Sequence, residues 1–444
     1  MGEAVGVGRL SVRDVEGLAE HLGEFMKPYL EAVGWSTREK QLSAFVAGLL
    51  GGTERKSVEP IALAQGTDRR QLQHFVGVSP WDHLPLLGQL QREVSEEIGD
   101  PEGVLVVDGS ATPKKGTESV GVARQWCGRL GKVENCQVGI YLAYAGKGSC
   151  AIVDERLYLP RAWATDPKRR AKAKVPEEAT FQKPWVLADE MLRRVGPRLP
   201  HKWVAGDAEY GRSSLFRDRL AKRGERYMLE VPSNLLVRKV AGKAGRRPQW
   251  HRVSEFLKRR PITEWQRLTV RDGQKGPIEV IAAAFRVHTR RHGGETRAET
   301  LLAIEALGSA ERWIFLSNTP LATPLAEMVR AASRRHLIEE AFENAKGEVG
   351  LDHYEVRAWR GWHHHMTASL MALWFLVREH RKLGGKSSAL GGAGALHDLR
   401  AATSAALASR NRGALSLSAA TQRGSTRRPL ARSRSRPSTL EGRA

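Results

Sequence analysis

Cysteine is scarce in this chain: 444 residues contain three, Cys127, Cys136 and Cys150. An odd number cannot pair completely, and no CxxC pairs occur, so the sequence excludes a disulfide framework and gives no cysteine-based structural zinc site. Long apolar runs are also missing. No stretch approaches the roughly 20 residues that cross a bilayer, and Met1 to Leu10 lacks the apolar centre of a signal peptide. The sequence therefore predicts a protein that stays in a reducing cytoplasm and spans no membrane. Acidic residues are the third shortage, with 49 Asp and Glu against 71 Lys and Arg and a net charge of +22. Such a surface attracts polyanions, and nucleic acid is the commonest. Charge alone names no activity, because ribosomal, repressor and architectural proteins share it.

Hydrophobic residues make up 41% of the chain, enough for two or three domains with a sizeable core. From 1 to 99 the pattern is helical. Val15, Leu18, Leu22 and Met26, then Leu42, Phe45, Val46 and Leu49, recur at three and four spacing. Thr67-Asp68 is a helix-start signal ahead of Arg69 and Arg70, and Gln71, Gln73 and His74 suit phosphates and base edges. This segment is expected to be a helical DNA-binding domain, although a capped, solvated surface helix would look the same.

After Pro101 the texture changes. Strands are expected at 104–107, 136–143 and 151–159, a helix at 181–195, a strand at 203–205, a helix at 215–222 and a strand at 227–231. That βββαβαβ order makes 100–231 the first part of an α/β core, a mixed sheet flanked by helices. Residues 232–310 read as a β-rich insertion. Residues 311–383 read as the rest of the core: a strand near Trp313 to Leu316, one long helix from Leu325 to about Lys346, and another from Trp362 to Arg381. The segment 384–444 is rich in Ala, Gly, Ser and Arg and has no aromatic residue, so it is expected to be a disordered basic tail. Counted from Arg381, the end of the chain holds thirteen Lys and Arg against two acids, half of the net charge.

Three carboxylates stand out. Asp108 follows the run Val104 to Val107, and Asp207 follows Trp203 to Gly206. Neighbouring strands would bring both to one sheet edge, close enough to share hard divalent cations. Acids at strand ends are also ordinary turn formers. A third acid is expected from the helix carrying Arg335, Glu339, Glu343 and Lys346 on one face, beside an apolar stripe of Ile338, Phe342 and Ala345. Glu339 and Glu340 diverge by about 100°, and the spacings to Arg335 and Lys346 select Glu339.

These residues resemble the bacterial insertion-sequence transposases of the DDE superfamily, in the subgroup marked Tyr-x2-Arg-x3-Glu-x6-Lys. Arg335, Glu339 and Lys346 match, and Ala332 stands where Tyr is expected. The blocks Pro113-Lys114-Lys115-Gly116, Arg124-Gln125-Trp126, Glu134 to Gly139, Gly206 to Gly211 and Gly350 to Tyr354 extend the likeness over roughly 56–381. The resemblance implies an RNase H-like core with a β-rich insertion before the final catalytic helix. It further implies Asp108, Asp207 and Glu339 as catalytic ligands of two Mg²⁺ ions, replaceable by Mn²⁺. Arg335, Lys346, Lys114, Lys115, Arg69 and Arg70 would contact double-stranded DNA at transposon ends and target. A homodimer in the DNA complex and association with the bacterial nucleoid are further implications. Two rivals remain: a decayed copy that binds DNA without catalysis, and a nuclease that cuts without strand transfer. His363-His364-His365 resembles a metal cluster, but consecutive helical residues diverge and should not share an ion.

Overall fold

The computed structural model describes residues 12–240, 249–273, 276–308, 311–383 and 395–409. Five helices come first: α1 (Val12–Val33), α2 (Ser36–Leu50), α3 (Val58–Ala64), α4 (Arg69–Gly77) and α5 (Leu84–Ile98). Their apolar spacing works as expected, since Leu18, Leu22, Met26, Leu42, Phe45, Val46 and Leu49 are all buried. Asp68 caps α4 by accepting a 2.8 Å hydrogen bond from the Gln71 amide.

Strands β1 (Val104–Pro113), β2 (Ala123–Cys127), β3 (Lys132–Gly146) and β4 (Ser149–Leu157) follow. Three helices, α6 (Arg161–Ala164), α7 (Pro167–Ala173) and α8 (Pro184–Val195), lead to β5 (Trp203–Gly206). Then α9 (Ala208–Gly211) and α10 (Ser214–Lys222) lead to β6 (Tyr227–Glu230). β3 pairs antiparallel with β1 along one edge and carries β2 and then β4 along the other. β1, β5 and β6 run parallel. Val104 to Val107 and the whole of β5 are buried, as continuous apolar runs must be in parallel strands covered on both faces. This is the RNase H-like strand arrangement that the βββαβαβ reading predicts. β2 escaped that reading because its residues alternate between half-buried and exposed, with Arg124 and Trp126 among them.

The segment read as an insertion lengthens the same sheet. It contains β7 (Leu236–Lys239), β8 (His251–Arg252), α11 (Val253–Lys258), β9 (Gln266–Gly273), β10 (Gly276–Arg290) and β11 (Thr296–Ala306), and β12 (Arg312–Ser317) joins it to β6. All twelve strands form one sheet. A small second core of Val237, Phe256, Phe285, Leu301 and Leu316 covers the inserted part.

The last helices are α12 (Leu325–Ser333), α13 (His336–Val349) and α14 (Trp359–Lys382). The single helix expected from Leu325 to Lys346 is thus two. At the break the amides of Arg335, Leu337 and Ile338 bond three residues back, and the His336 ring reaches the Ser333 carbonyl. Such tightened turns and an inserted side chain interrupt the regular ladder. α14 is buried over most of its length and packs on α2, α4, α5, α13 and β4. Consequently the amino-terminal helices share one hydrophobic core with the sheet. The tail also differs in part from the expectation: residues 395–409 are helical, with Leu396, Leu399, Thr403 and Ala406 buried. Four apolar or small residues at helical spacing, pinned by Arg400 to Glu348 at 2.7 Å, are enough to dock a short segment on an existing core. The rest of the tail lies outside the described residues. Among the described residues, no helix is long and apolar enough to cross a membrane.

Candidate active site

The parallel strands bring acids to one edge. Val107 on β1 stands in register with Gly206 on β5, and Gly206 with Leu229 on β6. The residues that follow are Asp108, Asp207 and Glu230: β6 ends on its acid, Asp207 directly follows β5, and Asp108 sits within β1 where its parallel pairing to β5 stops. Close approach needs small residues here. A Cβ on Gly206 would stand 2.8 Å from a Val107 methyl, and one on Gly211 would fall 1.8 Å from the Glu230 carbonyl oxygen. Gly211 therefore lets the α9 turn, capped by Asp207 through the Glu209 amide, sit directly on the end of β6.

Arg335 lies at the head of α13, in the midst of these acids. It bonds Glu339 at 2.8 Å and Glu230 at 3.3 Å. Against the lowering effect of burial, Glu339, Glu230, Asp108 and Asp207 together hold its pKa above the usual value. The acids respond to the same crowding. Burial, then the charge of Asp207, pushes Asp108 up to about 7, with the Gly109 amide and Arg335 pulling the other way. Burial also raises Asp207, partly offset by the Glu209 and Tyr210 amides and by Arg335. Glu230 is raised by burial too, and Arg335 again opposes the shift.

The structure thus gathers Asp108, Asp207, Glu339 and Arg335, all expected from sequence, and adds Glu230, which was not. Its signal was present, since Tyr227-Met228-Leu229-Glu230 repeats the strand-then-acid pattern of the two aspartates. Glu340 points elsewhere and meets His336 at 3.4 Å. The donor set is all oxygen, and mutually repelling carboxylates favour a shared cation, so the residues fit a hard divalent ion. Asp108, Asp207 and Glu339 do not close to within 4.8 Å of one another; among the described residues, His83, Glu155 and His363 are the group that does.

The expected DNA contacts divide into two places. Lys346 lies over the Phe342 ring at 5.5 Å; burial lowers its pKa, while Asp352 and Asp108 act to raise it. It thus stands within reach of the charges of both Asp352 and Asp108, without the direct ion pairs that Arg335 makes. Arg69, Lys114 and Lys115 line one cleft of about 1180 Å³ with Arg55, Asp352 and Tyr354, between α4 and the far end of β1. Lys115 is exposed there. Lys114 is committed inward, donating to the Tyr354 carbonyl at 3.0 Å above the Tyr354 ring, and burial lowers its pKa to about 8. Arg69 pairs with Glu59. Arg70 is exposed and does not line the cleft. The three histidines part company as expected. His363 meets Glu155, His364 lies between the Val76 and Trp81 carbonyls, and His365 meets the Gly350 carbonyl.

The sequence model of the family described as DDE superfamily endonuclease matches residues 28–277. The chain is 31% identical over 160 residues to a protein of Microchaete diplosiphon named "Probable transposase for insertion sequence element IS701". That match covers 34% of this chain and 42% of the relative, so the chain spans less than half the length of this curated relative. Among solved structures, the piggyBac transposase in a synaptic complex with hairpin DNA aligns over 91% of this chain and 82% of that one. Its TM-score is 0.40 and its identity 10%, too distant a match to argue from.

Proposed function

The chain belongs to the DDE superfamily endonuclease family, and on that premise we propose that it is a DNA transposase. It cuts DNA at the ends of an insertion sequence and joins the freed 3′-hydroxyl to target DNA. The observation that carries the reading is the convergence of Asp108, Asp207 and Glu339 around one guanidinium, just past the parallel pairing of β1 and β5. Asp108, Asp207 and Glu339 would hold two Mg²⁺ ions, or Mn²⁺ in their place. Bound there, such ions would supply activation of water or a 3′-hydroxyl as nucleophile and stabilisation of the leaving oxygen in an in-line displacement.

The chain's own residues do the rest. Asp108 gives up its proton on taking part, since burial and Asp207 otherwise keep it protonated to about pH 7. Arg335 exchanges carboxylates for a DNA phosphate near the scissile bond, and Lys346 holds a second phosphate. The cleft lined by Arg69, Lys114 and Lys115 tracks the duplex beyond the reacting strand. It begins about five residues along β1 from Asp108, roughly 17 Å at 3.3 Å per residue. The protein works as a homodimer on paired ends, in the cytoplasm and on the nucleoid. The test incubates the protein with the ends of its own element, a target duplex and Mg²⁺, and maps the products. Cleaved ends joined to target are expected. Binding without cleavage, or cleavage without joined product, would overturn the assignment.

A further inference from the structure

Glu155 on β4, His363 on α14 and His83 immediately before α5 meet inside the protein, where one ligand atom from each lies within 4.8 Å of the others. His363 Nδ1 is 2.9 Å from both Glu155 oxygens, and His83 Nε2 is 3.8 Å from Oε1. The two imidazoles stack with centroids 4.6 Å apart. Glu155 and His363 are buried, and His83 Nε2 is closed to solvent without a hydrogen-bond partner. The carboxylate edge built on Asp108 uses none of the three.

A buried carboxylate needs a counter-charge, and a buried ring nitrogen needs a partner. The cations nearest to Glu155 are engaged elsewhere: Arg194 is 2.5 Å and Arg156 3.5 Å from Asp154. His363 Nδ1 and the unpartnered His83 Nε2 both turn toward the Glu155 carboxylate, so each ring can offer a nitrogen to an ion held between them. Two imidazoles and one carboxylate are donors for a borderline first-row transition ion, and not for Mg²⁺.

We propose that His83, Glu155 and His363 bind one Zn²⁺ ion, which fastens the entry of α5 to β4 and α14. Its fourth position is left to water. The location gives the staple a consequence. Glu155 stands in register with Tyr141 on β3, and Tyr141 with Asp108 on β1, so the backbone of Glu155 lies two strands, about 10 Å, from that of Asp108. Tyr141 in turn packs on Phe342 of α13, with ring centroids 5.1 Å apart. A fixed β4–α14 joint therefore steadies the surface on which the helix of Glu339 rests.

The test loads the full chain, freed of any histidine tag, with one equivalent of Zn²⁺. It then measures retained metal after gel filtration, visible bands after Co²⁺ replacement, and Tm with and without a strong chelator. His83→Phe keeps a ring against His363 while removing the ligand, and Glu155→Gln is the second variant. Asp108→Asn with Asp207→Asn reports on the other acidic site. One retained equivalent is expected in the wild type and in the aspartate variant, with none in His83→Phe and a chelator-induced fall in Tm confined to the metal-retaining proteins. Should Glu155→Gln fail to fold, His83→Phe decides alone. Zinc retained by His83→Phe, or a folded wild type with no zinc, no cobalt bands and an indifferent Tm, overturns the proposal and leaves a hydrogen-bonded His–Glu pair.

Discussion

At the residue scale, the carboxylate edge is a place where the fold holds like charges together, and that has a measurable pH signature. Asp108 ionises near 3.8 when exposed and near 7 in the fold. Between those values the folded state holds a proton that the unfolded state has released, so stability falls as pH rises across the window and levels off above it. Asp108→Asn removes the titration. In chelator, its Tm should equal the wild type near the lower limit, exceed it increasingly through the window, and keep a constant advantage above about pH 7. A pH-independent difference would show that burial, and not ionisation, dominates at Asp108. Chemistry at Glu339 is tested against its neighbour: Glu339→Gln should abolish Mg²⁺-dependent end cleavage while leaving end binding intact, and Glu340→Gln should cut normally. The reverse result would move the third ligand to Glu340. Asp108, Asp207 and Glu339 were legible because strand-end acids and helical spacing are written locally. Glu230 carries the same strand-then-acid mark, but its place in the site depends on β6 lying next to β5, which no local pattern states.

At the element scale, the helix expected from Leu325 to Lys346 shows what periodicity misses. The apolar spacing continues through the break, so the sequence reads as one helix, while the Arg334–Arg335 turn depends on the His336 ring reaching back to Ser333. The break decides where Ala332 lies: it is buried at 3% exposure on α12. The family's Tyr at this position could not reach DNA here without repacking the core. Ala332→Tyr should therefore destabilise the protein by about 1–3 kcal/mol through overpacking, read as a lower denaturation midpoint with an unchanged m-value. A neutral or stabilising effect would mean that the space around α12 is larger than its burial indicates. The strand pattern of the core was far more legible, since the first half of β1, Val104 to Val107, and the whole of β5 are buried runs, whereas the half-exposed β2 carried no such mark.

At the scale of the whole molecule, the carboxyl-terminal region carries two separable contributions that composition alone blends into one. Residues 395–409 dock on the core through Leu396, Leu399 and Ala406, and Arg400 bonds Glu348 and approaches the Gly51 carbonyl at 3.3 Å. This segment links the end of α13 to the end of α2. Beyond it, residues 410–444 add nine Arg and a single acid, Glu441, to the sequence. Low overall hydrophobicity hid the docked segment, because the four buried positions are diluted by Ala, Ser and Gly around them. Two truncations should separate the roles. Ending the chain after residue 409 should leave Tm unchanged, weaken binding to random duplex and flatten its salt dependence, by about 0.9 in logarithmic slope for each phosphate no longer neutralised. Ending it after residue 394 should produce the same loss of charge-driven binding and, in addition, a lower Tm, because it uncovers the core beneath Leu396 and Leu399. Leu399→Ala in the full chain should reproduce that second effect alone, at about 2–4 kcal/mol for a buried leucine, with the salt slope untouched. If the shorter truncation already lowers Tm, residues 410–444 contribute to the fold. If the longer one leaves Tm unchanged, the 395–409 helix rests on the core without stabilising it.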